Sequence, residues 1–292
     1  MLEHKQLALI GGDQRYVQAI NHLADNNATL YIDGFIDANI SHPNVHQLKT
    51  EQIPFEQLDG IVLPVTGMDD TGNIALHYPE EKTMLTENMM NKTPDSCVIY
   101  TGTANDYLRK FAEKCNRKLI VLFERDDMAI ANSIPTAEAT LQIAMEETDF
   151  TINGANVLIT GFGRIGITIA RLFHQMGANV TVAARKSADF ARITEMRMEP
   201  VHMNQLRKAV RKCDITINTV PHLVLTQDII SSMTKDALII DLASHPGGTD
   251  FEAAEGNGIK AILALGLPGK VAPKTAGDII GQTIAQLVNE NK

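Results

Sequence analysis

The stretch from Ala155 to Ser187 constrains the fold of this 292-residue chain more than any other. It opens on the apolar run 157–159, which is typical of a buried strand in a parallel sheet. Glycines follow in the spacing GxGxxG, then apolar residues at helical spacing, then a second β-rich run at 180–182. A strand, a tight turn, a helix and a second strand together predict a β–α–β unit of a doubly wound α/β fold.

Each glycine of this turn has a separate predicted role. Gly161 makes the tight turn, Gly163 lets a pyrophosphate approach the bare backbone, and Gly166 allows the helix to pack against the strand. The amino terminus of the helix then faces the anion. We therefore predict a Rossmann-type dinucleotide site that also involves Arg164 and Ile165. The alternative is a β–α–β unit whose glycines serve the fold alone.

The end of the second strand indicates which dinucleotide binds. An NAD site typically has Asp or Glu about 20 residues after the motif, where the carboxylate accepts hydrogen bonds from the ribose. This chain has Arg185, Lys186 and Ser187 there. Two cations beside a hydroxyl suit a 2′-phosphate, so we predict NADP as the cofactor. The alternatives are that Arg185 and Lys186 are ordinary solvated charges, and that Asp189 is a displaced ribose acid.

Charge and cysteine content narrow the class of protein. A net charge of -9 and a pI near 5.5 argue against nucleic-acid and membrane-surface partners. The three cysteines form no CxxC pair, so we expect reduced thiols and no metal site. The first residues hold too short an apolar run for a signal peptide, and no run approaches the length of a membrane span. We expect a cytoplasmic protein that assembles as a homo-oligomer.

Strands alternate with helices before the motif as well as after it, which predicts two doubly wound parallel-sheet lobes. The first, 1–132, would be an N-terminal α/β domain that carries substrate or catalytic groups. Ser133 and Pro135 indicate a helix start, so a connector helix is expected over 133–150. We assign 151–275 to the dinucleotide-binding domain and 276–292 to a C-terminal helix. A long helix between lobes suggests a spine with the active site in the cleft beside it.

Residues 68–80 are rich in turn formers and show no periodic pattern. They predict a long loop, which is often functional in a compact domain. The alternative is a variable surface insertion.

The loops after the fourth, fifth and sixth strands of the second lobe should surround the nicotinamide. The candidate cofactor contacts in these loops are Thr219, Val220, Pro221, Ala243, Ser244 and Leu267. Hydride transfer also needs a group that accepts a proton, and histidine changes charge near neutral pH. His222 and His245 are the candidates. The alternative for each is a loop histidine that hydrogen-bonds to the backbone.

Cations near the strand ends could hold an acidic substrate, and a dicarboxylate would need two of them. The candidates are Arg15, Arg125, Lys270 and Lys274. The alternative is that they are solvated surface charges.

Five segments carry a resemblance to a known family. They are GFGRIG, TVAARKS, INTVPHLVL, DLASHPGG and LGLPGKVAPKTAG. Together with the connector IANSIPTAEATLQIAMEET, they make the chain similar over essentially its full length to the family of bacterial dipicolinate synthase A subunits. The chain also resembles, more distantly, the alanine dehydrogenase and 2-hydroxyacid dehydrogenase superfamily, whose members share a catalytic lobe, a spine helix and a Rossmann lobe.

This resemblance implies an oxidoreductase that converts a dihydrodipicolinate into pyridine-2,6-dicarboxylate, with NADP as hydride acceptor, during sporulation. It also implies a partner, the flavoprotein-like B subunit of dipicolinate synthase. Two other functions stay open. One is a 2-hydroxy- or amino-acid dehydrogenase. The other is a non-catalytic NADP-binding scaffold, because the sequence holds no clear His-Glu or Lys-His catalytic pair at the positions usual in dehydrogenases.

Overall fold

The structure is a computed structural model that describes residues 1–35, 38, 40–76 and 81–290. The chain divides into two compact units, one formed by Met1–Ala131 with Ala272–Lys292 and the other by Asn132–Val271. Each unit contains a six-stranded parallel sheet with helices. The predicted α/β class with two parallel sheets is therefore confirmed.

The strands are numbered in chain order. They are β1 Gln6–Ile10, β2 Thr29–Asp33, β3 Val45–Gln47, β4 Gly60–Val62, β5 Asn73–Ala75, β6 Lys82–Met84, β7 Val98–Thr101, β8 Lys118–Val121, β9 Asn156–Thr160, β10 Asn179–Ala184, β11 Glu199–His202, β12 Ile215–Asn218, β13 Leu238–Asp241 and β14 Lys260–Leu263. The first unit has the order β3-β2-β1-β4-β7-β8, and the second has β11-β10-β9-β12-β13-β14. In both sheets the order reverses beside the first strand, which is where doubly wound folds bind ligands.

The helices are also numbered in chain order. They are α1 Gln14–Asp25, α2 Glu87–Met90, α3 Asp106–Lys114, α4 Asp126–Glu146, α5 Arg164–Gln175, α6 Ser187–Glu195, α7 Leu206–Ala209, α8 Gln227–Ile230, α9 Phe251–Gly256, α10 Leu267–Val271 and α11 Pro273–Glu290. Short 3₁₀ turns lie between some of them. No helix in the described ranges is both long enough and apolar enough to cross a membrane.

The apolar run of β9 is explained by burial of both faces of the strand. Val157 and Ile159 pack into one core together with Phe173 of α5, whereas Leu158 packs into a second core with Leu206 of α7. Alternate residues of a strand point to opposite faces, so a strand covered on both faces is apolar at every position.

Helix α11 belongs to the first unit and packs against α1. Gly277 and Gly281 make this approach close, because an added Cβ would lie 2.7 Å from the Gln18 side chain and 2.9 Å from that of His22 respectively. Gln18 Nε2 also donates to Asp278 Oδ1 at 2.8 Å. Gly277 lies against Arg15 and Gln18, and Gly281 lies against His22, so the two helices run in the same direction and their first turns lie at the same end of the unit.

The predicted start of the connector helix is wrong. Helix α4 runs over Asp126–Glu146, and Pro135 lies inside it rather than in its first turn. The acidic pair Asp126 and Asp127 occupies the first turn, where carboxylates stabilise the positive end of the helix dipole. Pro135 removes one backbone hydrogen bond, and the helix continues because residues on both sides of it are buried, so packing compensates for the lost bond. Ser133 and Ala137 are each 1% exposed.

The expectation of a pattern-free loop over 68–80 is also corrected, since Asn73–Ala75 pairs with Lys82–Met84 as an antiparallel hairpin. Asp69 organises the turn before it by accepting from the backbone N–H groups of Thr71 and Asn73, both at 2.9 Å. Such local hydrogen bonds leave no periodic pattern in the sequence. Residues 77–80 of the expected loop lie outside the described residues.

Residues 267–271 form the short helix α10, although the sequence predicted only a loop after β14. Five residues are too few to show helical periodicity. Leu267 is buried in the core of the second unit and is not presented at a loop surface.

Candidate dinucleotide site

The turn between β9 and α5 has the geometry that its glycines predict. Gly161 has a φ of +96°, a left-handed conformation that favours glycine, and its N–H donates to Ala183 O at 2.9 Å. Gly163 is the N-cap of α5, and no side chain caps this helix end. The N-cap residue therefore offers no side-chain acceptor to the first N–H groups of α5, and a bound anion suits this helix end.

Gly163 and Gly166 differ in their surroundings. An added Cβ on Gly163 would have no atom within 4 Å, so its backbone faces open space. An added Cβ on Gly166 would overlap the carbonyl oxygen of Gly161. The open space at Gly163 fits a phosphate that approaches the backbone. The overlap at Gly166 fits a helix packed tightly on its strand.

A cavity of about 660 Å³ lies at this turn. Its wall is formed by three segments, the glycine turn 161–166, the end of β10 with the residues after it at 183–186, and the loop 219–222 after β12. Most of the predicted cofactor contacts, together with His222, are thus brought to one surface. Asp189, Met203 and Val224 complete the wall.

The remaining cofactor and catalytic candidates of the second unit do not line that cavity in the part of the chain that the structure describes. Ser187 is the exposed first residue of α6, and Leu267 is buried in α10. Ala243, Ser244 and His245 follow β13, where Ala243 is buried and the other two are exposed. A role for these five in binding or catalysis stays a prediction.

The β10 side of the cavity is cationic. Arg185 and Lys186 are exposed and line the wall, and neither forms an ion pair with another described residue. Asp189 stands in the same wall, so the alternative ribose acid is present beside them. The β10 side therefore offers two cations and one carboxylate to a ligand.

Two buried polar residues beneath the cavity were not recognised from the sequence. Asn218 and Asp241 are the last residues of β12 and β13, and Asn218 Nδ2 donates to Asp241 Oδ1 at 2.9 Å. Both are fully buried. The available signal was a polar residue that ends each of two apolar strands, ITIN and LIID.

The predicted substrate cations are already engaged or exposed. Arg15 forms an ion pair with Asp13, with Nε donating to Oδ1 at 2.9 Å, and Arg125 pairs with Asp127 at 2.6 Å. The hydrogen bond from Arg125 holds the pKa of Asp127 below its usual value. Lys270 lies exposed on α10 of the second unit, and Lys274 lies exposed in the first turn of α11.

The sheet of the first unit has the same kind of strand order as that of the second, but the turn after β1 leaves no open space for a ligand. An added Cβ on Gly11 would overlap the backbone oxygen of Ala75, which belongs to the hairpin. Asp33, at the position of a ribose acid, accepts from the backbone N–H and the hydroxyl of Thr50 at 2.7 and 2.6 Å. The hairpin thus fills the space that a dinucleotide would need at Gly11. The Asp33 carboxylate, which would bind the ribose, is already hydrogen-bonded to Thr50.

Two family comparisons divide the chain near the start of α4. Residues 6–123 match the N-terminal domain of the dipicolinate synthase A subunit. Residues 128–291 match the alanine dehydrogenase/PNT C-terminal domain.

Comparison with known proteins gives similarity over the whole chain. The dipicolinate synthase A subunit of Bacillus subtilis (strain 168) is 47% identical over 290 residues, which is 99% of this chain and 98% of the relative. The crystal structure of the dipicolinate synthase A subunit from Bacillus halodurans has a TM-score of 0.93 at 44% identity and covers 99% of each chain. L-alanine dehydrogenase, at 15% identity and a TM-score of 0.60 over 96% of this chain and 89% of its own, shares the fold.

Proposed function

Because this chain belongs to the family of dipicolinate synthase A subunits, we propose that it oxidises a dihydrodipicolinate to dipicolinate with NADP as the hydride acceptor. The chain is an oxidoreductase-type subunit with a dehydrogenase dinucleotide-binding domain. The reaction proposed for it is dehydrogenation at a ring CH-CH or CH-NH group.

The observation that carries the choice of NADP is the pair Arg185 and Lys186 in the cavity wall. They follow β10, where a ribose 2′ substituent lies in doubly wound dinucleotide domains. A guanidinium offers paired donors to phosphate oxygens, and an ammonium adds a second positive charge. Asp189 in the same wall is the group that would favour NAD instead.

The proposed chemistry asks little of the protein. Aromatisation of the dihydro ring breaks one C–H bond with its electron pair, which leaves as hydride, and releases one proton. The bound nicotinamide supplies the hydride acceptor. His222 is our candidate for the proton acceptor, because this residue lines the cavity on the β12 side.

The two substrate carboxylates need cations. In the first unit Arg15 and Lys274 lie in the first turns of α1 and α11, which run side by side. We propose these two as the substrate cations of the first unit. The further candidates are Arg125 of the same unit and Lys270 of the second unit. The engagement of Arg15 by Asp13 orients its guanidinium without removing its charge.

The family also carries a proposal about partners. The Bacillus subtilis relative is named as the A subunit of a synthase, and that name implies a second kind of subunit. We propose that this chain works with the B subunit of dipicolinate synthase, as a homo-oligomer in the cytoplasm of sporulating cells, on a branch from lysine and diaminopimelate synthesis.

The test is calorimetric titration of the purified chain with NADP and with NAD, repeated with dipicolinate present. We expect NADP to bind at least about tenfold more tightly than NAD, a difference of about 1.4 kcal/mol, and dipicolinate to strengthen NADP binding. Equal affinity for both dinucleotides would contradict the NADP assignment. Binding of neither would contradict the dinucleotide site itself, whereas NADP binding without turnover of a dihydrodipicolinate would favour the non-catalytic NADP-binding scaffold. Turnover of pyruvate or other oxoacids with NADPH would favour a 2-hydroxy- or amino-acid dehydrogenase.

A further inference from the structure

The strands β12 and β13 end in two buried polar side chains that bond to one another. Asn218 Nδ2 donates to Asp241 Oδ1 at 2.9 Å. Thr160, the last residue of β9, donates its hydroxyl to Asn218 Oδ1 at 2.6 Å. Three neighbouring strands of the second unit are thus connected at their carboxyl ends by side chains as well as by the backbone.

Asn218 hydrogen-bonds to both backbone polar groups of one residue, Val220, in the loop after β12. Its Oδ1 accepts from Val220 N–H, and its Nδ2 donates to Val220 O, both at 3.1 Å. Val220 lines the cavity together with Thr219 and Pro221. The conformation of this cavity wall therefore depends directly on the Asn218 amide.

Asp241 holds the loop after β13. Its Oδ1 accepts from Ala243 N–H at 2.8 Å, and its Oδ2 accepts from Gly248 N–H at 3.1 Å. With the bond from Asn218, three N–H donors surround one buried carboxylate, so its charge is satisfied without a cation.

Gly248 joins the two loops. Its carbonyl accepts from Val224 N–H and Leu225 N–H at 3.0 and 2.9 Å. An added Cβ on Gly248 would lie 2.5 Å from Val220 O and would overlap the Asn218 amide. The loop after β13 thus lies directly against the loop that forms the cavity wall.

We infer that Asn218 and Asp241 are positioning residues that fix the β12 side of the cavity for the nicotinamide half of NADP. The inference rests on the proposed function. A dinucleotide spans the crevice where the strand order reverses, between β9 and β12, with its adenosine ribose on the β10 side. The nicotinamide half then lies on the β12 side, where Val220 and Pro221 form the wall. The adenosine half lies beside Arg185, and among the described residues no hydrogen bond joins Arg185 to Asn218 or Asp241.

The test compares two probes on the full-length chain. NADP spans both halves of the site, whereas 2′,5′-ADP carries only the adenosine and its 2′-phosphate. In Asp241→Asn an amide NH₂ replaces an acceptor that faces N–H donors, so at least one hydrogen bond is lost. We expect NADP affinity to fall at least about tenfold and 2′,5′-ADP affinity to stay unchanged.

Thr160→Val is the milder variant, because it removes only the hydroxyl that donates to Asn218 and keeps the shape of the side chain. We expect the same selective loss at about threefold. If Asp241→Asn does not fold, this variant decides the question. Thr216→Val is the matched control on β12, since Thr216 is also buried and its hydroxyl has no hydrogen-bond partner within the described chain. Both probes should bind the control as they bind the wild type.

Equal loss of both probes in the variants, or no loss of NADP affinity, would overturn the positioning role while the wild type still binds NADP. Failure of the wild type to bind either probe would instead overturn the cofactor assignment, and this inference with it.

Discussion

The carbonyl oxygen of Gly161 occupies the space that a side chain on Gly166 would need. Gly161 turns the chain at the end of β9, and Gly166 is the third residue of α5. The helix can therefore start directly over the turn, and its amino terminus lines the cavity. Gly161 and Gly166 are thus both needed for the close packing of α5 on the turn.

Gly166→Ala should lower both the stability of the second unit and its affinity for dinucleotide. The new methyl group forces α5 away from the turn, and overpacking of this kind typically costs about 1–3 kcal/mol. Urea unfolding and NADP titration would measure the two effects. Unchanged unfolding with normal NADP binding would show that the helix can shift without consequence.

Gly163→Ala should separate binding from stability. The new methyl group meets no protein atom within 4 Å, so only a ligand can clash with it. We expect unfolding free energy to fall by no more than about 1 kcal/mol, whereas NADP affinity falls at least about tenfold. Gly256→Ala is the control, because it has the same open surroundings away from the cavity wall. Normal NADP affinity in Gly163→Ala would place the pyrophosphate elsewhere.

The β–α–β unit was predictable because its signals are local. The apolar run of β9, the glycine turn, and Gly177 with φ +86° after α5 all specify structure within a few residues of themselves. The start of α4 was not predictable by the same means, because Pro135 at a position typical of a helix start also fits a helix interior when neighbouring packing compensates.

The network around Asn218 was hidden for a different reason. Its hydrogen bonds join residues separated by 23 and 58 positions in the chain. Sequence spacing reports the contacts of one helix or strand, whereas these contacts depend on the order of strands in the sheet. The closed turn of the first unit was hidden in the same way, because Gly11 meets Ala75 through the hairpin.

Arg185→Ala with Lys186→Ala should weaken NADP binding selectively. The loss removes both cations from the β10 side of the cavity, so we expect NADP affinity to fall at least about tenfold and NAD affinity to change less than about twofold. Arg192→Ala is the matched control, because Arg192 is a basic residue of the neighbouring helix α6 that pairs with Glu195.

Equal NADP affinity in the double variant would contradict the 2′-phosphate assignment. Asp189→Asn then distinguishes the alternative. If Asp189 is the ribose acid, this substitution should weaken NAD binding. Unchanged NAD affinity in Asp189→Asn would show that Asp189 is only a surface carboxylate.

Asp69 should contribute stability that depends on pH. The hydroxyl of Thr71 donates to its carboxylate at 2.7 Å, and backbone N–H groups add two more bonds, so the pKa lies well below its usual value of 3.8. A lowered pKa stabilises the folded state above the unfolded pKa, and that contribution is lost as the pH falls below about 4.

Asp69→Asn should therefore lower the urea midpoint of the first unit at pH 7 and leave a smaller difference from wild type at pH 3. Glu113→Gln on the exposed side of α3 is the control. A difference between wild type and Asp69→Asn that is the same at both pH values would show that charge at Asp69 does not contribute.

His222→Gln should lower turnover without lowering NADP affinity. His222 lines the cavity at the β12 side, where a proton leaving the substrate ring can be accepted. Loss of a general base typically costs about 10²- to 10⁴-fold in rate. Formation of NADPH from dihydrodipicolinate, followed by fluorescence with the partner protein present, would measure the rate, and calorimetry would measure NADP binding. His245→Gln is the comparison variant, because His245 is the other candidate proton acceptor and lies in an exposed loop outside the described cavity wall. A large rate loss in His245→Gln with none in His222→Gln would move the proton acceptor to the loop after β13, whereas equal small effects in both would assign the base to another group.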